Sequence, residues 1–258
     1  MKQPTYGLVL SGGGIRGLAH AGVIKVLEEE GISPTYVSGA SAGAIVGALY
    51  AAGYGGEDIL KFFQETSIFS FRNYAFGKPG LIDTDKFYAS FLTYFPEDDF
   101  GALGKKLFIS TTDILSGKPK TFHEGPLIKA VLASAAFPVV LSPVMIEGVL
   151  YADGGITNNF PVEPLLAYCD KVIGVYVSPL GKVSAETLTS SRAVMDRSFK
   201  IAMGNMSMRK FHNCDAVIEP ENIGDFSTFD TSHLKEAYEM GYQEARKQLE
   251  LIRSLKEV

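Results

Sequence analysis

"YGLVLSGGGIRGLAHAGVIKVLEEEG", from Tyr6 to Gly31, joins a short apolar run, a cluster of glycines and a helical pattern. An apolar run bounded by glycine is typical of a buried parallel strand. The apolar spacing that follows predicts a helix from Arg16 to Glu30, which Gly31 ends. A glycine-rich loop between a strand and a helix N-terminus favours the binding of an anion. The function of the chain depends on which anion this is.

The same alternation continues along the chain, and this predicts an α/β fold. Short connections between strands and helices indicate a mainly parallel sheet with right-handed crossovers. The further predicted strands lie at 35–39, 106–114, 148–155 and 171–179, and the further helices at 42–53, 126–138, 187–210 and 232–255. No repeat, low-complexity tract or linker divides the chain, so we expect a single domain over residues 1–258.

Composition excludes several classes of function. A net charge of −5 on 258 residues leaves no basic footprint for nucleic acid. Cys169 and Cys214 are too few for a disulfide framework, and two buried thiols are a simpler interpretation than a metal site. Met1 leads almost directly into a strand, and the uncharged run 130–146 is short and broken by prolines. We therefore expect a soluble, cytoplasmic protein without a signal peptide, while a peripheral membrane contact stays open.

The segment "GASAG", Gly39 to Gly43, lies between the second predicted strand and helix. Gly-x-Ser-x-Gly in this context is the pattern of a nucleophile elbow, in which a strained turn projects the serine oxygen above the sheet. The N-terminal amides of the following helix favour negative charge at that point. Ser41 is therefore the candidate nucleophile.

A serine nucleophile needs a group that accepts its proton. None of the four histidines follows a strand near the C-terminus, where the usual hydrolase order would place a base. "YADGG", Tyr151 to Gly155, instead places Asp153 at the end of a predicted strand. In a parallel sheet Ser41 and Asp153 would lie at the same edge, and such a pair can work if burial raises the pKa of Asp153 enough to make it a useful base.

The loop "GGGIRG" has two nucleotide interpretations, and both fail. A dinucleotide fingerprint requires an acidic residue at the end of the next strand, where this chain has the serine elbow, and no Gly-Lys-Ser/Thr follows for a P-loop. The loop is better suited to an oxyanion hole formed by Gly12, Gly13, Gly14 and Arg16. Its free amides would face the negative oxygen of a tetrahedral intermediate, and neither a nucleotide nor another cofactor is expected.

These motifs, in this order, resemble those of the patatin-like phospholipase family. The resemblance extends to "TTDILSGKPKTF" and "LASAAFP", and it covers the chain up to about Val177. It implies a three-layer α/β/α sandwich, a Ser41–Asp153 dyad, an oxyanion loop at Gly12 to Arg16, and hydrolysis of fatty acyl esters without a metal. The remaining glycines of the three motifs are Gly17, Gly39, Gly43, Gly154 and Gly155.

Three other features carry weaker expectations. The segment 62–100 holds 12 of the 29 Phe and Tyr residues, and a helical pair packed on the sheet is favoured over a moving lid. Asn158 and Asn159 are expected to hold the turn behind Asp153 through side-chain hydrogen bonds. The four methionines between Met195 and Met208 are expected to pack in the core rather than to line an acyl pocket.

The sequence leaves three functions open. The first is a serine acyl hydrolase of esterase, phospholipase A or lysophospholipase type, whose partner is a lipid ester substrate. The second is a catalytically weak regulatory or adaptor protein that keeps the fold and binds a lipid or a protein. The third is acyl transfer to an acceptor other than water, which usually relies on a histidine base.

Overall fold

The computed structural model describes residues 4–66, 87–228 and 230–256. The strands in this part of the chain form one mixed sheet of eight strands. They are β1 (Tyr6–Leu10), β2 (Tyr36–Ala40), β3 (Lys106–Asp113), β4 (Lys118–Phe122), β5 (Val144–Ile146), β6 (Val149–Asp153), β7 (Lys171–Val175) and β8 (Ala216–Ile218). Their order is β5-β6-β3-β2-β1-β7-β8, and β4 pairs with β3 outside this path.

The sheet is mainly parallel, as the sequence predicts. β1 pairs in parallel with β2 and β7, β2 with β3, and β7 with β8. The pairings of β4 with β3, β6 with β3, and β5 with β6 are antiparallel. The prediction that Asp153 ends a parallel strand is therefore wrong, because the direction of β6 relative to β3 depends on a long-range pairing that the local sequence pattern does not encode.

The helices cover both faces of the sheet. They are α1 (Leu18–Glu29), α2 (Ala42–Ala51), α3 (Gly56–Glu65), α4 (Tyr88–Leu92), α5 (Leu127–Ala135), α6 (Gly155–Asn158), α7 (Ser191–Met208), α8 (Leu234–Lys247) and α9 (Leu249–Ser254). The first helix begins later than predicted, because Gly14–Gly17 form a 3-10 turn. The last predicted helix is divided at Gln248 into α8 and α9.

Two apolar cores give the three-layer α/β/α architecture. In β1, Leu8 and Leu10 point into a large core with the buried residues of α1, α2 and α5. Val9 points the opposite way, into a smaller core with Phe160 and Tyr176. Alternate residues of a strand face opposite sides of the sheet, so a strand buried on both faces has an uninterrupted apolar sequence.

The aromatic segment at 62–100 is only partly described. Phe62 of α3 makes edge-to-face contacts with Phe91 of α4 and with Tyr94, at centroid distances of 5.6 and 4.7 Å. These rings belong to the large core or pack against it. The choice between packed helices and a lid also concerns residues 67–86, which lie outside the described residues. In the described ranges, no helix is both long and apolar enough to span a bilayer.

Candidate active site

Ser41 occupies the turn between β2 and α2 in a strained backbone conformation. Its φ of 54° and ψ of −124° are unusual for a residue with a side chain. A Cβ on Gly39 would lie 2.6 Å from the backbone carbon of Gly43, so the two arms of the turn pass in contact. Only glycine permits so close an approach. The turn thus has the geometry that the Gly-x-Ser-x-Gly pattern predicts.

The side chains of Ser41 and Asp153 are in direct contact. Ser41 Oγ donates a hydrogen bond to Asp153 Oδ2 over 2.7 Å, and Gly155 N–H donates to Asp153 Oδ1 over 2.7 Å. The aspartate is only 2% exposed. Burial raises the pKa of Asp153 to about 6, although these two hydrogen bonds oppose the increase. The carboxylate is therefore ionised at neutral pH and more basic than an exposed one.

These residues meet because β2 and β6 share one edge of β3. β4 pairs along the opposite edge from Ile109 to Asp113. On the shared edge Ala40 lies opposite Ser110, and Asp153 lies opposite Thr111. The carboxyl ends of β2 and β6 therefore approach each other from opposite directions. An antiparallel strand thus brings the aspartate to the serine, whereas the sequence predicts a parallel strand.

Ser134 of α5 supports the elbow, although the sequence predicts no role for it. Its hydroxyl accepts a hydrogen bond from Ser41 N–H over 2.9 Å and donates to the carbonyl of Ser110 over 2.6 Å. The adjoining carbonyl of Ala136 accepts from Asp153 N–H over 3.1 Å. The end of α5 thus fixes the backbone of both residues. The signal was the serine of "LASAAFP", which lies among small apolar residues.

Two side chains hold the carbonyls of the glycine loop. Ser178 Oγ donates to the carbonyl of Gly12 over 2.8 Å, and Arg16 Nε donates to that of Gly13 over 3.0 Å. Arg16 also donates from Nη2 to Ser178 Oγ over 3.2 Å. In a trans peptide unit the C=O and the N–H point in opposite directions. These bonds therefore direct the N–H groups of Gly13 and Gly14 away from the side chains of Ser178 and Arg16. Ser178 was missed because it lies far along the chain.

The Gly13 and Gly14 amides are available to a ligand. Among the described residues neither donates to a backbone or side-chain acceptor, and both residues line one cavity with Ser41 and Asp153. Gly14 has a φ of 63°, and Ile15 N–H donates to the carbonyl of Thr228 over 2.9 Å. Burial lowers the pKa of Arg16 to about 10, so the guanidinium stays charged at neutral pH.

The cavity has an apolar wall and no histidine among the described residues that line it. Its apolar lining includes Ile45, Ala135, Phe137, Phe199 and Met203. His20 is buried outside it, where Nε2 lies 2.7 Å from the carbonyl of Ser11, and burial lowers the His20 pKa to about 4. The imidazole is therefore neutral at pH 7 and anchors the start of the glycine loop.

The other motif glycines lie where side chains would collide with neighbouring groups. A Cβ on Gly17 would lie 2.6 Å from Ala42 Cβ, and one on Gly43 would lie 2.6 Å from the Leu10 carbonyl carbon. A Cβ on Gly154 would lie 2.6 Å from the Ser110 carbonyl carbon. Because glycine has no side chain at these positions, the loop, the elbow and the turn after Asp153 can pack closely against their neighbours.

One weaker expectation holds for Asn158 but not for Asn159, and another is wrong. Asn158 does form side-chain hydrogen bonds, with Glu163 over 3.0 Å and Lys210 over 2.7 Å. The carboxamide of Asn159, however, has no hydrogen-bond partner in the described ranges. The helix α7 is not core-packed either, since Met195 is 62% exposed and Met203 lines the cavity. Periodicity identifies the helix but not the surface it covers.

The described part of the chain contains no group of three or more His, Cys, Asp and Glu side chains arranged to hold a metal ion. Cys169 and Cys214 are both free thiols and only partly buried. Burial raises the pKa of Cys214 to about 12 and that of Cys169 to about 11, so both are protonated at neutral pH.

A mainly parallel sheet with a serine on a strained strand-to-helix turn defines the class of α/β proteins with a nucleophile elbow. A family model described as patatin-like phospholipase matches residues 8–166, more than half of the chain. The chain therefore belongs to the patatin-like phospholipase family, as the sequence motifs indicate.

Individual relatives agree with this membership. An uncharacterised NTE family protein of Mycobacterium tuberculosis is 34% identical over 166 residues, which cover 64% of this chain and 46% of that protein. Lysophospholipase NTE1 of Yarrowia lipolytica is 25% identical over 289 residues, which cover 98% of this chain and 20% of that protein. The chain thus spans half or less of the length of these curated relatives.

Comparison with solved structures shows the shared fold. The crystal structure of VipD from Legionella pneumophila superposes with a TM-score of 0.65 at 17% identity. The match covers 98% of this chain and 67% of that chain. At this identity the similarity concerns the fold alone.

Proposed function

We propose that this chain is a serine acyl hydrolase that cleaves fatty acyl esters of lipids, as an esterase, phospholipase A or lysophospholipase. The observation that carries the proposal is the 2.7 Å hydrogen bond from Ser41 Oγ to the buried carboxylate of Asp153. Free amides of Gly13 and Gly14 line the same cavity. Nucleophile, base and oxyanion donors are the three groups that acyl transfer requires.

In the first half of the reaction Ser41 becomes acylated. Ser41 Oγ attacks the ester carbonyl carbon while its proton passes to Asp153 Oδ2. The carbonyl electron pair moves to oxygen, and the amides of Gly13 and Gly14 stabilise the resulting oxyanion. When the intermediate collapses, the bond to the alcohol oxygen breaks and Asp153 returns the proton to that oxygen. A base whose pKa is about 6 can both accept and release this proton near neutral pH.

In the second half water releases the fatty acid. Asp153 takes a proton from the attacking water, whose oxygen bonds to the acyl carbon, and the same amides hold the second oxyanion. Collapse breaks the bond to Ser41 Oγ, which recovers its proton from Asp153. The burial of Asp153 matters in both halves, because an exposed carboxylate of ordinary pKa is a weaker base.

The lining of the cavity supports an apolar acyl substrate. Phe137 and Phe199 form an edge-to-face pair with centroids 5.8 Å apart, and both line the cavity. The helix α7 contributes Phe199 and Met203 to the cavity lining. Met195 and Ile201 of the same helix are 62% and 41% exposed to solvent. We infer a peripheral contact between this exposed surface and the lipid from which the substrate is taken.

The test is hydrolysis of a short-chain nitrophenyl ester and of lysophospholipid by the wild-type protein, Ser41→Ala and Asp153→Asn. We expect both variants to lose almost all turnover, and a fluorophosphonate to label the wild-type protein at Ser41 only. Undiminished turnover in Ser41→Ala would exclude the proposal. Lipid binding by wild-type protein and Ser41→Ala alike, without hydrolysis by either, would favour the adaptor function.

A further inference from the structure

The carboxamide of Asn159 is a buried polar group without a partner. The residue is 1% exposed. Neither Oδ1 nor Nδ2 has a hydrogen-bond partner among residues 4–66, 87–228 and 230–256. Buried side-chain polar atoms are nearly always hydrogen-bonded, and each exception requires an explanation. A ligand that enters the cavity during catalysis and bonds to the carboxamide would explain this exception.

Asn159 lies at the reacting groups. It lines the cavity that contains Ser41 and Asp153, and its backbone carbonyl accepts from Gly12 N–H over 3.3 Å. A Cβ on Gly155 would lie 2.8 Å from Asn159 Oδ1 and 2.9 Å from Asp153 Oδ1. A Cβ on Gly12 would collide with the same carboxamide oxygen and lie 3.0 Å from Ser41 Cβ. The carboxamide is thus flanked by the glycine loop and the aspartate.

The neighbouring asparagine shows that the fold can satisfy a carboxamide at this turn. Asn158 Nδ2 donates to Glu163 Oε2 over 3.0 Å, and Asn158 Oδ1 accepts from Lys210 Nζ over 2.7 Å. The hydrogen bonds of the Asn158 side chain therefore indicate a structural role for this residue. Two chemically identical side chains, adjacent in sequence, differ in that only one is left unpaired inside the catalytic cavity.

We propose that Asn159 is a catalytic residue whose carboxamide N–H donates to the ester carbonyl oxygen as that oxygen becomes negative, beside the amides of Gly13 and Gly14. The proposal rests on the acyl hydrolase function. A half-turn of the carboxamide exchanges its donor and acceptor ends, so the N–H group can face the oxygen. A donor held in place before the reaction stabilises the transition state without reorganisation.

The experiment compares Asn159→Ala and Asn159→Leu with the matched control Asn158→Ala. The rate of Ser41 labelling by a fluorophosphonate, kcat/KM for a nitrophenyl ester and Tm are measured for each. We expect labelling and kcat/KM of both Asn159 variants to fall about 100-fold, the scale for loss of one oxyanion donor. Their Tm should not fall, because an unpaired buried carboxamide does not stabilise the fold. Asn158→Ala should lower Tm and keep its labelling rate.

Each other outcome is decisive. If wild-type protein neither hydrolyses the ester nor is labelled, the acyl hydrolase function itself fails. If wild-type protein is active and the Asn159 variants match it, Asn159 is not catalytic. A fall in Tm together with rate would make Asn159 structural. If turnover falls while the labelling rate is unchanged, the carboxamide acts only in deacylation, and its assignment to the oxyanion is overturned.

Discussion

Ser41 and Asp153, 112 residues apart in sequence, are joined by a hydrogen bond of 2.7 Å between Oγ and Oδ2. They meet because β2 and β6 run toward each other along one edge of β3. The arrangement buries the carboxylate against the sheet, and burial is the main cause of its raised pKa. Strand topology therefore sets both the distance between the two groups and the basicity of the carboxylate.

The pKa of Asp153 predicts the pH dependence of the reaction. Since the pKa is raised to about 6, half of the protein molecules hold a protonated aspartate near pH 6, and this fraction grows as the pH falls. We expect kcat/KM to be level above pH 7 and to decrease about tenfold per pH unit well below 6. The measurement is ester hydrolysis between pH 4.5 and 8. A rate that stays level down to pH 4.5 would contradict the role of Asp153 as base.

The same pKa predicts that Asp153 destabilises the fold at neutral pH. The folded-state pKa of about 6 exceeds the ordinary value of 3.8, so the native state binds more protons between these values. Stability therefore falls as the pH rises through this window. Asp153→Asn should increase the free energy of unfolding by up to about 3 kcal/mol at pH 7 and by far less near pH 3.8. Urea denaturation at both pH values tests this, and equal effects at both would refute it.

Ser178 is predicted to position the oxyanion loop. Ser178→Ala removes the bond to the Gly12 carbonyl and one acceptor of the Arg16 guanidinium. We expect kcat to fall at least about tenfold with little change in KM, because the amides would be less well aligned for the transition state. The comparison is the steady-state kinetics of Ser254→Ala, which removes a hydroxyl that donates to the nearby carbonyl of Leu251. A change in KM alone would argue against this role.

Alanine substitutions at Gly14 and Gly117 distinguish the effect of backbone strain from the effect of steric collision. Their φ values are 63° and 70°, but a Cβ at Gly14 would collide with the Thr228 carbonyl whereas one at Gly117 meets nothing within 4 Å. Alanine at either position should lower the free energy of unfolding by about 1 kcal/mol, because the left-handed conformation is unfavourable for a residue with a side chain. Gly14→Ala should in addition displace the loop and abolish ester hydrolysis. Circular dichroism melts and activity test the pair, and similar behaviour of the two variants would disprove the prediction.

The exposed residues of α7 are predicted to contact lipid. Met195→Glu and Ile201→Glu place charge on side chains that are 62% and 41% exposed, so the fold should tolerate them. We expect hydrolysis of phospholipid vesicles to fall several-fold, because each charge opposes insertion into the interface. Hydrolysis of a soluble nitrophenyl ester should not change. Equal losses on both substrates would place the effect in the active site and not at the membrane.

Much of the fold could be predicted from the sequence, because its signals are local. Apolar runs bounded by glycine identify β1 and β2, and helical spacing identifies α1 and α2. The small strands β5 and β8, each of three residues, are too short for a period to stand out. The direction of β6 was predicted wrongly, because an isolated strand looks the same whether its partner runs parallel or antiparallel.

The candidate site, like the fold, could be predicted only where its sequence signals are local. Ser41, Asp153 and the glycine loop could be identified, because tight turns restrict which residues fit. The roles of Ser134 and Ser178 could not be predicted, since their hydrogen bonds to Ser41 and Gly12 cross 93 and 166 residues of sequence. Asn159 was expected to form side-chain hydrogen bonds, as Asn158 does, and no local pattern distinguishes these two adjacent residues.

The sequence by itself determines the conformation of the loop and the elbow. Gly14 permits a positive φ, and Gly39 and Gly43 permit the close passage that places Ser41 in its strained turn. The tertiary structure decides the chemistry of these turns. It turns the loop amides through Ser178 and Arg16, raises the pKa of Asp153 by burial, and leaves Asn159 unpaired beside it. Backbone sterics act over a few residues, whereas desolvation and hydrogen-bond partners depend on segments that only folding brings together.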